Sequence, residues 1–331
     1  MTNAALKSIA SELAGVKATE VVPAASGGNS RVYMVATEGK LYALKQYPEI
    51  ENDKRNRLET ERHALELMHW HGIRSIPEWI AAKDNYALMG WIDGFVIKEP
   101  KACDVDDAAI FLGTLHHISR KTHEEDMPLA SEACISGKAI VDQLEARVTA
   151  LMPYTKENPA LMQFLSKHFL PVFAHRMAAA KTAHAQFSEP LPFEERTLIA
   201  ADFGFHNIMR SLDGALYFID FEYFGWDDPV KLMSDFLLHP ATALSGEMKK
   251  NFYHHTLAIY GEAVAARFAA YFPLFGLRWT LILLNEFIPQ RWAARAAARG
   301  HTADNQAEWE SVKTEQLAKA EAMLTMSEKF A

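Results

Sequence analysis

The chain has 331 residues, 49% of them hydrophobic and 23% charged, and its 34 Lys and Arg against 42 Asp and Glu give a formal net charge of −8. These proportions are ordinary for a globular protein and exclude a disordered or low-complexity chain. The length predicts about two domains. The acidity argues against nucleic acid as the main partner, and two cysteines are too few for a disulfide framework.

The N-terminal residues and the apolar stretches of the sequence indicate where in the cell the protein is expected. Residues 1–12 lack the basic start and apolar centre of a signal peptide. The most apolar stretch, residues 279–284, is far shorter than the roughly 20 residues of a membrane span. We therefore expect a cytoplasmic protein with no membrane partner, and the sequence leaves its oligomeric state open.

The first ninety residues predict mixed α and β structure. Runs 31–36 and 41–47 flank a glycine-containing turn, which predicts a β-hairpin. Apolar residues at helical spacing predict a helix over 52–71 that ends at Gly72. A further β-rich run covers 86–92.

From about residue 106 the pattern is mostly helical. A β-rich insert over 197–220 interrupts it, with a second hairpin around the turn 211–214. Binding and catalytic residues occur more often in loops of this kind than in the helices and strands that support them. The predicted helices cover 106–120, 136–152, 159–187, 230–238, 246–270, 274–298 and 305–328.

A small-residue turn precedes the first hairpin. Its residues, Gly27, Gly28, Asn29 and Ser30, would let backbone N–H groups approach a phosphate closely. A plain turn entering a strand explains the same residues. It is not a Walker loop, because a strand rather than a helix follows.

Lys45 lies in the second strand of that hairpin, and Glu61 lies on the following helix. Side chains alternate along a strand, so Lys45 points away from the face of Leu44. A buried ammonium needs an anionic partner, for which Glu61 is one candidate and Glu59 another. Such a pair could hold Lys45 against the α- and β-phosphates of ATP. The alternative is a lysine on a solvated hairpin edge.

Three polar residues of the β-rich insert suggest a phosphoryl-transfer site. Asp202 could accept a hydroxyl proton, while the side-chain carbonyl of Asn207 could bind Mg²⁺. Asp220, at the end of the second hairpin, supplies another hard oxygen ligand. Each of these matches alone can easily occur by chance. The complete set in this order is not easily explained by chance.

The tripeptide Asp202-Phe203-Gly204 spells the metal-binding motif of protein kinases. That role would require a catalytic Asp shortly upstream, and none occurs between Asp142 and Asp202. Asp220, by contrast, is preceded by an Asp and then an Asn, which is the order in which the catalytic Asp and the metal-binding Asn precede the metal-binding Asp of protein kinases. Asp202 therefore takes the base role and Asp220 the metal role.

With these motifs the chain resembles the aminoglycoside phosphotransferase and choline kinase-like small-molecule kinases. The resemblance covers about residues 26–235 and is firmest over 42–45, 61–67, 202–207 and 219–235. It implies a two-lobed, protein-kinase-like α+β fold, with a nucleotide-binding lobe over 1–92 and a helical lobe over 93–331. It also implies that Asp228 and Asp235 are structural.

The predicted activity is ATP- and Mg²⁺-dependent phosphoryl transfer to a hydroxyl of a small polar molecule. Candidate acceptors are a sugar, an aminoglycoside, an amino alcohol or a hydroxy amino acid, and a metabolic kinase fits better than a resistance enzyme. Adenine is expected against the connector containing Met89 and Trp91. Glu222 and Glu286 are candidate substrate contacts, although Arg291 could equally be the partner of Glu286.

The sequence departs from the family at the catalytic loop. The usual His-Gly-Asp is Ala200-Ala201-Asp202 here, and a histidine occurs instead at His206. This favours one alternative, a nucleotide-binding pseudokinase that acts as a regulatory or interaction module. A protein kinase is disfavoured because no Ala-Pro-Glu segment follows. A non-kinase helical scaffold would be favoured if Lys45 and Asp220 lay far apart.

Overall fold

The computed structural model of the protein describes residues 2–26, 30–49, 55–242, 244–298 and 305–328. The predicted turn residues Gly27, Gly28 and Asn29 lie outside the described residues. The chain forms two compact units. Unit 1 comprises Met1–Glu99, Ala200–Gly225 and Ala294–His301, and unit 2 comprises Pro100–Ile199, Trp226–Ala293 and Thr302–Ala331. The division into lobes 1–92 and 93–331 stays a prediction.

Strands occur mainly in unit 1. They are β1 (Glu20–Ser26), β2 (Arg31–Ala36), β3 (Leu41–Gln46), β4 (Trp79–Lys83), β5 (Tyr86–Gly90), β6 (Gly94–Val96), β7 (Thr197–Ile199), β8 (Ile208–Ser211), β9 (Leu216–Phe218) and β10 (Gly225–Asp227). The first five form an antiparallel sheet in the order β1-β2-β3-β5-β4. A three-stranded sheet has the order β6-β8-β9, and β7 pairs with β10.

Helices make up most of the remainder. They are α1 (Asn3–Ala14), α2 (Arg57–Trp70), α3 (Ala102–Ser119), α4 (Gly137–Leu151), α5 (Pro159–Gln163), α6 (Leu170–Ala183), α7 (Pro229–Leu238), α8 (Gly246–Tyr260), α9 (Ala263–Leu283), α10 (Pro289–Ala298) and α11 (Gln306–Met326). A π-helical segment, Phe164–Phe169, joins α5 to α6.

The five-stranded sheet packs α1 against one face. Tyr42 and Leu44 of β3 are buried there together with Leu6 and Ala10 of α1. Because side chains alternate along a strand, Lys45 lies on the opposite face. The hairpin turn before β3 has Gly39 at φ 92°, a left-handed conformation that glycine adopts at little cost. The sequence pattern of β3 thus places Tyr42 and Leu44 on the face packed against α1 and Lys45 on the other face.

Helix α2 carries Glu61, the candidate partner of Lys45. Arg57, Glu61, Ala64, Leu65 and Met68 are buried, and this spacing places them along one face of the helix. The helix ends at Trp70, close to the predicted end, and Gly72 follows with φ 87°. The predicted first residues of this helix, 52–54, lie outside the described residues.

Two predicted helix boundaries in unit 2 are wrong. The helix predicted over 246–270 ends at Tyr260, where Gly261 has φ 88°, and α9 then runs from Ala263 to Leu283. Pro273, next to the predicted break, lies inside α9. Proline usually ends or kinks a helix, but burial of nearly every side of α9 stabilises it here.

The apolar segment Ala263–Phe287 is longer than the sequence pattern indicated. Its 25 helical residues are long and apolar enough to cross a membrane by length and composition alone. However, 78% of its most apolar window is buried inside the protein. Burial of this kind is typical of the core helix of a folded unit.

Unit 2 holds Asp228 and Asp235 in buried ion pairs. Asp228 accepts a hydrogen bond from the Val230 backbone at the start of α7 and lies 2.9 Å from Arg267 Nε. Asp235 accepts from Arg278 Nη1 at 3.2 Å and from Trp279 Nε1 at 2.9 Å. These contacts tie α7 to α9, in agreement with the structural role that the resemblance implies.

Candidate active site

The centre of the candidate site is the ion pair between Lys45 and Glu61. Lys45 Nζ lies 2.6 Å from Glu61 Oε2, and both side chains are buried. Strand β3 supplies the lysine and helix α2 the glutamate, as the sequence predicted. Glu59, the alternative partner, instead pairs with Arg62 of its own helix at 2.6 Å.

Two carboxylates from the segment after β9 reach the same lysine. Asp220 Oδ1 lies 2.6 Å from Lys45 Nζ, and Glu222 Oε2 lies 3.2 Å from it. Glu61 Oε1 also accepts a hydrogen bond from the Phe221 backbone at 3.1 Å. A large separation of Lys45 and Asp220, which would have favoured a non-kinase scaffold, is not observed.

Glu222 is held by groups from three parts of unit 1. Its carboxylate is bonded by Arg57 Nη1 of α2 and by Ser30 Oγ, the latter at 2.8 Å, in addition to Lys45. Only 3% of the Glu222 side chain is exposed. The groups that bond the Glu222 carboxylate are Lys45 itself and two side chains close to it. Contact between Glu222 and the phosphoryl acceptor stays a prediction.

Burial sets the electrostatics of this cluster. Burial, with Glu222 and Glu61 nearby, raises the pKa of Asp220 to about 7 even though Lys45 opposes the shift. Burial alone would lower the pKa of Lys45, but Asp220 and Glu61 outweigh it and hold that pKa well above its usual range. Lys45 is therefore charged at neutral pH.

The cluster suits a divalent cation. Carboxylate oxygens of Glu61, Asp220 and Glu222 all lie within 4.8 Å of one another. Lys45 Nζ lies among them, 2.6 Å from Glu61 and Asp220 and 3.2 Å from Glu222. Oxygen ligands of this type fit Mg²⁺.

Asp220 itself lies in a strained backbone conformation. Its φ is 68°, in the left-handed region that non-glycine residues rarely adopt. The preceding residue, Ile219, donates its backbone N–H to the Asn207 carbonyl at 3.0 Å. Strain of this kind concentrates at functional sites, and the hydrogen bond brings Asn207 beside the segment that carries Asp220.

The catalytic-loop candidate Asp202 follows β7. Its side chain is 40% exposed, and its carboxylate Oδ1 lies 3.2 Å from His206 Nε2. Asn207 Nδ2 donates to the Asp202 backbone carbonyl at 3.0 Å. This bond fixes the orientation of the Asn207 amide, so that its Oδ1 is the atom available to a cation.

The predicted connector begins within β5, because Met89 and Gly90 are the last two residues of that strand. Met89 is buried opposite Ala43 of β3, and the Gly90 backbone N–H is bonded to the Glu78 carbonyl at 2.8 Å. Trp91 lines an open pocket of about 390 Å³ with Leu41. The contact of these residues with adenine stays a prediction.

Glu286, the other candidate acceptor contact, belongs to unit 2. Its side chain is buried, with 2% of the residue exposed, in the turn after α9. Its backbone carbonyl accepts a hydrogen bond from Trp309 Nε1 of α11 at 2.7 Å. Its role at an acceptor site also stays a prediction.

Two residues of the cluster were missed from the sequence. Arg57 lies one helical turn before Glu61, and this i, i+4 spacing could have indicated a shared face. Tyr47 donates a hydrogen bond to Glu61 Oε2 at 2.6 Å. It follows β3 two positions after Lys45, and alternation along the extended chain could have indicated it.

Comparison with known proteins identifies the family. The model of the phosphotransferase enzyme family matches residues 20–231, more than half of the chain. The chain belongs to the phosphotransferase enzyme family. No curated protein matches it in a direct sequence comparison.

Solved structures show the fold of this phosphotransferase. Choline kinase LicA from Streptococcus pneumoniae is similar with a TM-score of 0.63 and 16% identity, over 97% of this chain and 99% of that one. Aminoglycoside phosphotransferase APH(2")-IIa in complex with gentamicin gives 0.60 and 17%, over 98% and 96%. ADP-bound APH(2'')-Ib gives 0.57 and 18%, over 96% and 98%.

The predicted fold class and family are confirmed. The phosphotransferase has the two-lobed α+β fold of the protein-kinase-like enzymes. It is a small-molecule kinase, an enzyme that transfers a phosphoryl group to an alcohol.

Proposed function

We propose that this kinase transfers the γ-phosphoryl group of ATP, with Mg²⁺, to a hydroxyl of a small polar molecule. The main support is the position of Lys45 Nζ, 2.6 Å from both Glu61 and Asp220. A lysine in this position can neutralise phosphate charge. Glu61 can orient the lysine, and Asp220 can bind the metal ion. Phosphoryl transfer needs mostly such positioning and charge neutralisation.

Lys45 and Glu61 act on the nucleotide in this proposal. Glu61 is fixed by the Phe221 backbone as well as by Lys45, so it keeps its place when Lys45 turns toward phosphate oxygens. Lys45 then orients the α- and β-phosphates. The backbone of Gly27 and Gly28, with Asn29 and Ser30, is proposed to cover them, and the bond from Ser30 to Glu222 supports the end of this turn.

Asn207 and Asp220 are the proposed metal-binding residues. A bound Mg²⁺ neutralises phosphate charge as the phosphoryl group moves. The support for this assignment is geometric, because carboxylate oxygens of Asp220, Glu61 and Glu222 lie within 4.8 Å of one another and the Asn207 carbonyl accepts a hydrogen bond from Ile219, directly before Asp220.

Asp202 is the proposed catalytic base. Its half-exposed carboxylate can accept a proton from an acceptor hydroxyl and orient that oxygen for attack. Asn207 anchors the Asp202 backbone, and His206 lies against its Oδ1. These contacts hold the loop although Ala200 replaces the family's histidine, and they favour an active enzyme over the pseudokinase alternative.

The acceptor class follows from the family and from its solved relatives. The solved relatives include a choline kinase, an ethanolamine kinase, a spectinomycin phosphotransferase and a macrolide 2'-phosphotransferase. Choline and ethanolamine are both small alcohols that carry a cationic nitrogen at neutral pH. We propose an acceptor of that general type, a small amino alcohol or a basic sugar.

A coupled assay for ADP release tests the proposed function. The protein, ATP and Mg²⁺ are incubated with amino alcohols, aminoglycosides, macrolides, simple sugars and hydroxy amino acids. The proposal expects acceptor-dependent ADP release by the wild type and release slower by about 10²–10⁴-fold by Asp202→Asn. Failure of every acceptor, together with no binding of ATP or ADP, would overturn it.

A further inference from the structure

Tyr47 is a buried tyrosine that contacts both members of the Lys45–Glu61 pair. Its hydroxyl donates to Glu61 Oε2 at 2.6 Å, and this oxygen also receives Lys45 Nζ at 2.6 Å. The Tyr47 ring lies under Lys45 Nζ at 4.9 Å from its centroid, within range of a cation–π contact. Only 3% of Tyr47 is exposed.

The backbone of Tyr47 is anchored independently of these side chains. Its N–H donates to the Asn85 carbonyl at 2.9 Å, and Asn85 Nδ2 donates to the Tyr47 carbonyl at 2.9 Å. Asn85 lies directly before β5. The tyrosine is therefore held by the sheet and does not depend on Lys45 or Glu61 for its position.

Among the residues that the structure describes, three donors bond the two oxygens of Glu61. Oε2 accepts from Lys45 and Tyr47, and Oε1 accepts from the Phe221 backbone. If Lys45 turns toward a phosphate, Tyr47 still satisfies Oε2, so the buried carboxylate is not left unpaired. Without the hydroxyl, each movement of Lys45 toward phosphate would leave Oε2 without a donor, which opposes phosphate binding.

We propose that Tyr47 is a positioning residue that holds Glu61 in place and thereby frees Lys45 to bind nucleotide phosphates. The proposal rests on the proposed function, since it requires Lys45 to contact phosphate. Tyr47 acts through Glu61 and the Lys45 ammonium, so its effect depends on the phosphates of the ligand. The nucleoside portion of the ligand is not involved.

Two ligands that differ only in phosphate separate this role from a general structural one. Titration calorimetry of the full chain with Mg·ADP and with adenosine measures each affinity. Tyr47→Phe keeps the ring and removes the hydroxyl, and it is expected to weaken Mg·ADP binding by about 10-fold, the effect of one hydrogen bond to a charged group. Adenosine affinity should be unchanged.

Tyr42→Phe is the matched control. Tyr42 lies on β3 with its side chain in the core against α1, on the face opposite Lys45. This variant should bind both ligands like the wild type. Thermal unfolding of all three proteins checks that each is folded.

The outcomes distinguish the two proposals. If the wild type binds Mg·ADP and Tyr47→Phe binds it equally well, the role of Tyr47 is overturned while the proposed function stands. An equal loss of Mg·ADP and adenosine affinity would also overturn it, because a general distortion would then explain the effect. If the wild type binds no Mg·ADP, both proposals fail together.

Discussion

Lys45 Nζ lies 2.6 Å from Asp220 Oδ1, although 175 positions separate the two residues in the sequence. Lys45 lies on strand β3. Asp220 lies in the segment after β9 and has a left-handed backbone conformation. Glu61 lies on the other side of the same ammonium group. This arrangement places the proposed phosphate-binding residue, Lys45, directly beside the proposed metal ligand, Asp220.

Replacing Asp202 should stop chemistry without affecting nucleotide binding. Asp202→Asn keeps the size of the side chain but cannot accept a proton from the acceptor hydroxyl, and general base catalysis contributes about 10²–10⁴-fold. We expect kcat to fall by that factor, measured by ADP release with the identified acceptor, while KM for ATP stays within about twofold.

Asp107→Asn is the control for this change, because Asp107 is an exposed residue of α3. It should leave both constants unchanged. Normal turnover by Asp202→Asn would disprove the assignment of Asp202 as the base.

Replacing Asp220 should remove the advantage that Mg²⁺ gives to nucleotide binding. Asp220→Asn keeps a side chain of similar size but removes the anionic ligand. In calorimetric titrations at fixed pH, ADP should bind the wild type more tightly with Mg²⁺ than without it. The variant should show little difference between the two conditions. An unchanged Mg²⁺ dependence in Asp220→Asn would count against its metal role.

Removing Arg57 should destabilise the protein. Arg57→Ala leaves the buried Glu222 with one cation fewer, and breaking a buried ion pair by removing one partner costs about 3–5 kcal/mol. Denaturant unfolding should show this loss. The double variant Arg57→Ala with Glu222→Gln should recover part of it, because the unpaired charge is gone.

Arg62→Ala serves as the control on the same helix. Arg62 forms partly exposed pairs with Glu59 and Glu66, and such pairs contribute less than about 1 kcal/mol. If Arg57→Ala were no more destabilising than Arg62→Ala, the Arg57–Glu222 pair would not be a significant source of stability.

Stability should also fall in mildly acidic solution because of His116. Burial, with Arg120 and His117 nearby, lowers the pKa of His116 from 6.5 to about 4. Between these values the unfolded chain binds a proton that the folded chain does not. The contribution of neutral His116 is therefore complete above about pH 6.5 and is lost as the pH falls toward 4.

Unfolding free energies measured between pH 4 and 7 check this pH dependence. His116→Gln should reduce the slope over that range, whereas His254→Gln, at an exposed position of α8, should not. Equal slopes in the wild type and His116→Gln would show that His116 is not the group responsible.

The sequence was sufficient to predict residues whose chemistry and order are restrictive. Lys45, Glu61 and Asp220 were predicted because a strand lysine, a helix glutamate and a hairpin aspartate follow one another in a fixed order, and the structure places them in contact. Arg57 and Tyr47 were missed because the spacing that places each beside Glu61 or Lys45, one helical turn before Glu61 for Arg57 and two positions after Lys45 for Tyr47, is informative only once those two residues are known to form a site.

Helix boundaries between residues 246 and 298 failed for a different reason. Local propensity favoured a break at Pro273, but the tertiary packing of α9 keeps the helix continuous through that residue. The true break occurs at Gly261, whose left-handed φ depends on the turn between α8 and α9. Sequence periodicity alone does not distinguish these two positions.

A thermal-shift titration with ATP and ADP, with and without Mg²⁺, tests the central claim most directly. A ligand that binds the folded state raises Tm by mass action, with about 2.7 kcal/mol of stabilisation at a concentration 100 times its Kd. We predict a clear, Mg²⁺-dependent rise in the wild type that Lys45→Ala abolishes. No shift with any nucleotide, or the same shift in Lys45→Ala, would contradict the placement of the nucleotide at the Lys45–Glu61–Asp220 cluster.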